Sequence, residues 1–282
     1  MKIQPVISPK DLEYLLRSGS DVVLIDARPD LASYQAGHLA GARHADLNSD
    51  LSSASDPDAD PAHGGRHPLP HIARWLHRLG TWGIGPDTYV VTYDDQSGAN
   101  AAARAWWMLR SVGHARVSVL DGGFSNAVAA GLQVTAEVPE VKPRDSYPAL
   151  GWTHVTDIDG VDALRNQDDW IVLDVRSGER FRGETEPIDP VAGHIPGARN
   201  FPFAENLEGG LFKSPEALRE QYSRFLDGVS PDHVVVHCGS GVTACHTLLA
   251  LDRAGLEGAS LFVGSWSEWC RSRLGPELKI EN

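Results

Sequence analysis

The chain has 282 residues, 41% of them hydrophobic and 22% charged, which is a globular composition with room for two domains. Its formal net charge is −13, and its Lys and Arg residues are scattered, which argues against a nucleic-acid or membrane partner. No apolar stretch approaches the ~20 residues of a bilayer span, and the N-terminus shows no secretory signal. We therefore expect a cytoplasmic protein with three reduced cysteines. No histidines stand at zinc-ligand spacing beside a cysteine pair, so we expect no metal.

One pattern occurs twice in the chain. An apolar run ends in Asp-x-Arg, at Asp26 and again at Asp174, and leads to Gly-His-x-x-Gly-Ala. A β-branched run, a glycine-containing turn, a helical stretch and a turn with Phe or Trp follow in the same order in both copies. The paired segments are 21–42 with 169–198, 88–94 with 232–238, 99–112 with 243–254, and 120–124 with 262–266.

Strands that alternate with helices predict the α/β class, with two domains that each contain a mainly parallel sheet flanked by helices. The Pro-rich, charged stretch that begins at Pro139 has no periodicity and is typical of a linker. We predict a first domain over 1–138, a linker over 139–151 and a second domain over 152–282. A polar excursion over 48–71 occurs only in the first copy and is long enough to indicate a functional or mobile loop.

The two copies differ at the end of the second apolar run, where the first has Asp94 and the second has Cys238. A carboxylate cannot carry sulfur as a persulfide. If the site uses a cysteine, only the second domain is catalytic, and the first serves as a scaffold that can contribute its long loop.

The residues after Cys238 predict a reactive cysteine loop. A strand precedes Cys238 and a helix follows, and two glycines between them allow backbone N–H groups to turn toward one atom. The helix N-terminus adds its positive dipole end, which stabilises a thiolate or an anionic persulfide. We expect Thr243 to cap that helix or to hydrogen-bond the cysteine sulfur. The predicted loop residues are Gly239, Ser240, Gly241, Val242 and Thr243.

The other two cysteines have a different context. Cys245 follows Cys238 by seven residues, inside an apolar helical stretch, and Cys270 lies in SWSEWCRSR. We expect Cys245 in the core and Cys270 in a structural role or without a specific role.

The sequence CGSGVTA at 238–244, the two Asp-x-Arg motifs and VGSWSEW at 263–269 closely resemble the tandem-rhodanese sulfurtransferases. The resemblance covers nearly the whole chain and implies two rhodanese-fold domains, of which the second is catalytic. A neutral loop of this kind resembles the 3-mercaptopyruvate branch more than the thiosulfate branch, in which cationic residues usually follow the cysteine.

The resemblance also implies substrate-binding residues. Arg180 matches the family arginine that binds the anionic group of the donor. A second arginine often follows in Pro-Glu-Pro-Arg, but here the chain reads Glu186-Pro187-Ile188-Asp189, so that arginine is absent. Arg182 is a candidate to replace it.

The family further pairs the loop serine with a histidine and an aspartate of the first domain. Ser240 matches the serine and His67 the histidine. Asp46 or Asn48 falls near the position of the aspartate.

These features predict a sulfurtransferase that moves sulfur from a small donor through a Cys238 persulfide to a thiol, to a thioredoxin-like protein or to cyanide, without a prosthetic group. Because thiosulfate is a dianion and the loop is neutral, 3-mercaptopyruvate is the favoured donor. The alternatives are a thiosulfate:cyanide sulfurtransferase, an enzyme that delivers sulfur to tRNA or cofactor assembly, and a non-enzymatic rhodanese-like module. A cysteine phosphatase needs an arginine near the helix start, where this chain has Ala244.

Overall fold

The computed structural model describes residues 3–99, 101–145 and 147–273. The chain folds into two compact units that interleave in the sequence, residues 3–52, 70–153 and 208–212 in the first and residues 53–69, 154–207 and 213–273 in the second. Residues 53–69, which belong to the predicted excursion, therefore group with the second unit. The predicted domain limits of 138 and 152 stay a prediction.

The first unit is an α/β unit with a five-stranded parallel sheet in the order β1-β6-β5-β2-β4. Its strands are Val6–Ile7 (β1), Val22–Asp26 (β2), His38–Leu39 (β3), Arg43–His44 (β4), Tyr89–Tyr93 (β5), Val117–Leu120 (β6) and Val134–Thr135 (β7). Its helices are Pro9–Arg17 (α1), Leu31–Ala36 (α2), Ile72–Thr81 (α3), Ala102–Ser111 (α4) and Gly123–Ala129 (α5).

The central strands of this sheet are rich in β-branched and aromatic residues, which favour strand conformation. They are buried because both faces of the sheet are packed. A core cluster that includes Leu24, Val91 and Tyr93 forms around them. Helix α1 begins where Ser8 accepts a hydrogen bond from the Asp11 N–H group and Pro9 occupies the first turn, as helix N-termini require.

The second unit repeats this architecture. Its parallel sheet has the order β10-β9-β13-β14-β8. The strands of this half of the chain are Val155–Thr156 (β8), Ile171–Asp174 (β9), Arg199–Asn200 (β10), Leu207–Glu208 (β11), Leu211–Phe212 (β12), Val234–His237 (β13) and Ser260–Phe262 (β14). The helices are Ile158–Leu164 (α6), Gly178–Phe181 (α7), Pro215–Leu226 (α8), Ala244–Arg253 (α9) and Ser265–Ser272 (α10), with 3₁₀ turns at Phe203–Asn206 and Pro231–His233.

Strand by strand, β8, β9, β10, β13 and β14 correspond to β1, β2, β4, β5 and β6, so the two sheets have the same topology. The predicted fold class is confirmed, since each copy forms its own parallel sheet with flanking helices. Between residues 3 and 273, apart from positions 100 and 146, no helix is long and apolar enough to cross a membrane.

The two Asp-x-Arg motifs make the same contacts in both units. Arg28 Nη2 lies 2.6 Å from Asp26 Oδ2 and donates to the Gly37 carbonyl at 2.7 Å. In the second unit, Arg176 Nη2 lies 2.6 Å from Asp174 Oδ2 and 2.7 Å from the Gly193 carbonyl oxygen. Each buried pair thus ties the end of a central strand to the first glycine of Gly-His-x-x-Gly-Ala.

An aromatic ring covers each of these arginines. The Arg28 guanidinium lies 4.0 Å from the Phe124 ring centroid, and that of Arg176 lies 5.0 Å from the Trp266 ring centroid. A guanidinium over a ring face is attracted by the ring quadrupole. The repeat seen in the sequence therefore extends to side-chain contacts.

Candidate active site

Cys238 follows β13 directly at the carboxyl edge of the second sheet. Its N–H group donates to Ser265 Oγ at 3.2 Å, and its carbonyl accepts from the Trp266 N–H group at 3.0 Å. The next carbonyl, of Gly239, accepts from the Ser267 N–H group at 2.9 Å. The first turn of α10 thus fixes the backbone on both sides of the thiol, and Cys238 is only 2% exposed.

The glycines of the loop have different reasons to be glycine. Gly241 has a φ of +72°, and a Cβ there would lie 2.4 Å from the Val263 carbonyl oxygen, so no other residue fits without backbone movement. Gly239 lies outside the left-handed region, but a Cβ there would approach two guanidinium groups. Val242 lies beyond them, largely buried, and its carbonyl accepts from the Cys245 N–H group at 3.1 Å.

Of the two roles expected for Thr243, the helix cap is wrong, and the hydrogen bond to the cysteine sulfur stays a prediction. Thr243 precedes the first residue of α9, but its hydroxyl makes no capping hydrogen bond. The physical reason is its backbone conformation, with φ −70° and ψ −16°, which is already helical. A capping side chain needs an extended residue at that position to reach back to the free N–H groups.

His67 and Ser240 come together as predicted. His67 Nδ1 lies 2.8 Å from Ser240 Oγ, and both residues belong to the second unit. Segment 53–69 is held against α10, since the Gly64 N–H group donates to Glu268 Oε1 at 2.9 Å and that of Arg66 to Ser267 Oγ at 3.1 Å.

The predicted third member of this relay is Asp46 or Asn48. Asp46 Oδ1 accepts hydrogen bonds from the backbone N–H groups of Asn48 and Ser49 and from the Ser49 hydroxyl. One oxygen of that carboxylate is therefore used within its own turn. Its participation in the relay stays a prediction.

Arg180 is placed at the loop by the short helix α7. Its Nη2 and Nη1 atoms lie 3.4 and 3.6 Å from the position that a Cβ on Gly239 would take. The His194 ring stacks on Phe181 at 3.9 Å between centroids and binds the Phe181 carbonyl at 2.7 Å, which steadies α7. Arg180 Nη2 also binds Glu186 Oε1 at 2.6 Å.

Arg66 is a site residue that the sequence analysis missed. Its Nη2 lies 3.2 Å from the same Cβ position on Gly239, and its Nη1 forms an ion pair with Asp189 Oδ2. The loop residues between Cys238 and Ala244 are uncharged, but charged side chains approach the loop from other parts of the chain. The cations come from segments that are distant in sequence.

Arg182 does not replace the absent arginine. Its guanidinium pairs with Glu184 at 2.7 Å, and both side chains are more than half exposed. Arg182 follows α7, and an ion pair at such an exposed position contributes little.

Ser265 is the second residue that the sequence analysis did not identify. It has a φ of +54°, which is uncommon for a residue other than glycine, and it is fully buried. Gly123 occupies the equivalent position in the first unit with a φ of +63°. The corresponding sequences GGF in the first copy and GSW in the second mark this turn. The hydrogen bond from the Cys238 N–H group to Ser265 Oγ depends on the fold.

Asp94 occupies the corresponding loop of the first unit. One carboxylate oxygen accepts N–H hydrogen bonds from Gln96 and Gly98, and the other accepts from Ala101 and Ala102, at 2.8–3.2 Å. Burial raises the pKa of Asp94, and these four donors oppose that rise. A strand–loop–helix of this kind therefore surrounds an acidic group with backbone donors.

The remaining cysteines are buried. Cys245 lies within α9, and its Sγ is 3.3 Å from the Gly241 carbonyl oxygen. Cys270 packs in the core cluster of the second unit with Trp266 and Trp269. Burial raises the pKa of the Cys270 thiol to about 11, which keeps it protonated and unreactive at neutral pH.

Comparison with known proteins identifies the family. A rhodanese-like domain model matches residues 8–130 and 157–272. A probable 3-mercaptopyruvate sulfurtransferase of Pseudomonas aeruginosa is 43% identical over 261 residues, which cover 89% of this chain and 90% of that protein. A putative thiosulfate sulfurtransferase of Mycobacterium tuberculosis is 38% identical over 285 residues, 94% of each.

A solved structure agrees with these sequence matches. The 3-mercaptopyruvate sulfurtransferase from Leishmania major superposes with a TM-score of 0.80 at 31% identity, covering 95% of this chain and 74% of that one. The chain belongs to the rhodanese-like domain family and carries two copies of the domain. The predicted family membership is confirmed.

Proposed function

We propose that this protein is a 3-mercaptopyruvate sulfurtransferase that carries sulfur on Cys238. The observation that carries the proposal is the Cys238 loop, in which a thiol at the end of β13 is followed by a glycine turn and the start of α9, and two guanidinium groups approach the first glycine of that turn. The Pseudomonas and Leishmania relatives are named for this activity.

The first half-reaction is a sulfur transfer between two thiols. The Cys238 thiolate attacks the sulfur of 3-mercaptopyruvate, a sulfur–sulfur bond forms, and the carbon–sulfur bond breaks with its electron pair passing to carbon 3. The resulting pyruvate enolate takes up the proton that the donor thiol brought. Cysteine persulfide and pyruvate are the products, and no oxidant is required.

The surroundings of Cys238 suit this chemistry. The four N–H donors around Asp94 illustrate how such a loop stabilises an anionic group, and a thiolate and a persulfide are both anionic. We assign to Arg180, whose guanidinium approaches Gly239, the binding of the donor carboxylate and the stabilisation of the developing enolate. The Ser240–His67 pair offers a route for the proton.

In the second half-reaction an acceptor removes the outer sulfur and restores the Cys238 thiolate. A small thiol, a thioredoxin-like protein or cyanide serves, because each is a nucleophile toward a persulfide. We propose a cytoplasmic setting, in which reduced thiols are abundant.

A comparison of donors tests the proposal. Initial rates with 3-mercaptopyruvate and with thiosulfate are measured on one preparation with cyanide as acceptor. We expect a higher kcat/KM with 3-mercaptopyruvate, and loss of turnover with both donors in Cys238→Ser. Faster turnover of thiosulfate by the wild type would favour the activity for which the Mycobacterium relative is named.

A further inference from the structure

Two arginines approach the cysteine loop, and only one of them was predicted from the sequence. Arg66 and Arg180 come from segments 114 residues apart, yet both guanidinium groups lie 3.2–3.6 Å from the position that a Cβ on Gly239 would take. Each is anchored by a buried carboxylate, Arg66 by Asp189 and Arg180 by Glu186. Each also keeps about a fifth of its side chain exposed.

We propose, on the basis of the proposed function, that Arg66 is the second carboxylate-binding residue of the donor site and that Asp189 sets the net charge of that site. The donor of this chemistry is a 2-oxo acid with a single carboxylate. Arg66 contacts that carboxylate together with Arg180. Asp189 is a positioning residue that acts through Arg66.

The distances fit a short donor. Gly239, which both guanidinium groups approach, is the residue directly after Cys238. In 3-mercaptopyruvate two carbon atoms separate the sulfur from the carboxylate carbon, so a donor that reacts at Cys238 carries its carboxylate close to the reacting sulfur. Two guanidinium groups facing one point provide the charged, forked hydrogen bonds that a carboxylate accepts.

The charges fit a monoanion. The ion-pair cluster contains four arginines and three carboxylates, which leaves one positive charge. Its members are Arg66, Arg176, Arg180 and Arg271 with Asp174, Glu186 and Asp189. Asp189 is decisive because its side chain is fully buried and contacts Arg66, Arg271 at 2.9 Å and Arg180 at 3.8 Å.

Asp189 also explains why the absent family arginine need not weaken binding. The chain has an acid in the segment where an arginine often stands, and this acid holds an arginine from segment 53–69 at the loop instead. This segment therefore carries a negative charge where the family often has a positive one, and Arg66 provides the second cation beside Gly239.

The test compares Arg66→Gln, Asp189→Asn and the double variant with Arg182→Gln as the matched control. Arg182 is an exposed arginine paired with Glu184 two residues along the chain, outside the cluster. Calorimetry measures the dissociation constant of pyruvate, and therefore binding at the carboxylate site, without any turnover. Steady-state kinetics with 3-mercaptopyruvate and with thiosulfate gives the ratio of kcat/KM for the two donors, which measures donor preference.

We expect Arg66→Gln to weaken pyruvate binding and raise KM for 3-mercaptopyruvate by about 10-fold or more, with kcat changed less than about 3-fold. Arg66→Lys keeps the charge without the fork and should recover part of the loss. Asp189→Asn should raise the thiosulfate to 3-mercaptopyruvate ratio of kcat/KM by about 10-fold, because it leaves a second uncompensated charge.

The double variant removes one charge of each sign, so it keeps the net charge of the cluster, and Arg271 is the cation that loses its contact with Asp189. This variant should return the donor ratio to that of the wild type while keeping the weak pyruvate binding. Unchanged pyruvate binding in Arg66→Gln, or an equal loss in Arg182→Gln, overturns the inference. Absence of 3-mercaptopyruvate turnover in a wild type that binds pyruvate through Arg66 overturns the proposed function instead.

Discussion

His67 Nδ1 lies 2.8 Å from Ser240 Oγ, so a histidine 173 residues earlier in the chain contacts the cysteine loop. The contact is between a ring nitrogen and a hydroxyl, the combination that moves protons in many active sites. It connects the unusual excursion of the first sequence copy to the chemistry of the second.

We expect His67→Gln and Ser240→Ala each to lower kcat with 3-mercaptopyruvate by about 10²-fold, the usual contribution of a general acid or base. Because the two groups act as one unit, the double variant should be no slower than the slower single variant. Steady-state kinetics of the three variants measures this. Losses that multiply in the double variant would show two independent roles.

The loop glycines provide a stability test. Gly241→Ala should lower the free energy of unfolding by at least about 1–2 kcal/mol, because it combines a positive φ with a Cβ 2.4 Å from a backbone oxygen. Gly239→Ala should cost less, since the three atoms nearest to its Cβ are side-chain nitrogens at the ends of two arginines. Urea unfolding compares the two, and equal losses would contradict the geometry of the loop.

Gly239→Ala has a second expected effect, on donor binding. A Cβ there lies 3.2 Å from Arg66 Nη2, so the guanidinium must shift. KM for 3-mercaptopyruvate should therefore rise while kcat changes little. A fall in kcat at constant KM would mean that Gly239 serves the thiol and not the carboxylate site.

The duplicated Asp–Arg pairs differ in one respect that can be measured. Arg176 has a second carboxylate, Glu186, at 3.2 Å, whereas the carboxylate ion pair of Arg28 is with Asp26. Breaking a buried pair costs about 3–5 kcal/mol when the partner charge is left alone. We expect Asp26→Asn to reach that range and Asp174→Asn to fall below it.

Urea unfolding of both variants checks this expectation, with Glu184→Gln as the control. Glu184 pairs with Arg182 at an exposed site, where removal should cost less than about 1 kcal/mol. A larger loss for Asp174→Asn than for Asp26→Asn would show that Glu186 does not compensate.

The acid side of the stability profile should depend on His237. This histidine is fully buried beside Cys238, and burial lowers its pKa. It is therefore neutral in the folded protein, while in the unfolded chain it takes up a proton near pH 6.5. Stability is present above that pH and is lost as the pH falls through it.

The size of this effect is bounded by linkage. At pH 5.5, one unit below the unfolded value, a histidine that stays neutral costs at most about 1.4 kcal/mol. His237→Asn should reduce the loss of unfolding free energy between pH 7.5 and 5.5 by up to that amount. His63→Asn, at an exposed position, serves as the control, and a profile of His237→Asn identical to the wild type would contradict the account.

Much of the fold could be predicted because its signals are local. The strand that ends at His237, the loop glycines and the helix that follows are contiguous, and the duplicated Asp-x-Arg motifs make the repeat visible. Arg180 could be placed because it lies in a segment that the family shares.

Other parts of the site have no local signal. Arg66 reaches Gly239 only because segment 53–69 groups with the second unit, and Ser265 reaches Cys238 through a turn between β14 and α10. For Asp189, the sequence showed only that the family arginine is absent. The contacts of its carboxylate with three arginines depend on the fold, because those arginines lie in different segments of the chain. The prediction that Thr243 caps α9 was wrong because the residue type does not determine the φ and ψ angles at that position.

The most direct test of the central claim is a single turnover without acceptor. The protein is mixed with one equivalent of 3-mercaptopyruvate, so that no second donor thiol is present to remove the sulfur. Released pyruvate is measured, and peptides are analysed by mass spectrometry. We predict one pyruvate per chain and a gain of one sulfur atom on the peptide that contains Cys238, with none on those of Cys245 and Cys270. Sulfur on Cys245 or Cys270, or pyruvate release that persists in Cys238→Ser, would contradict the account.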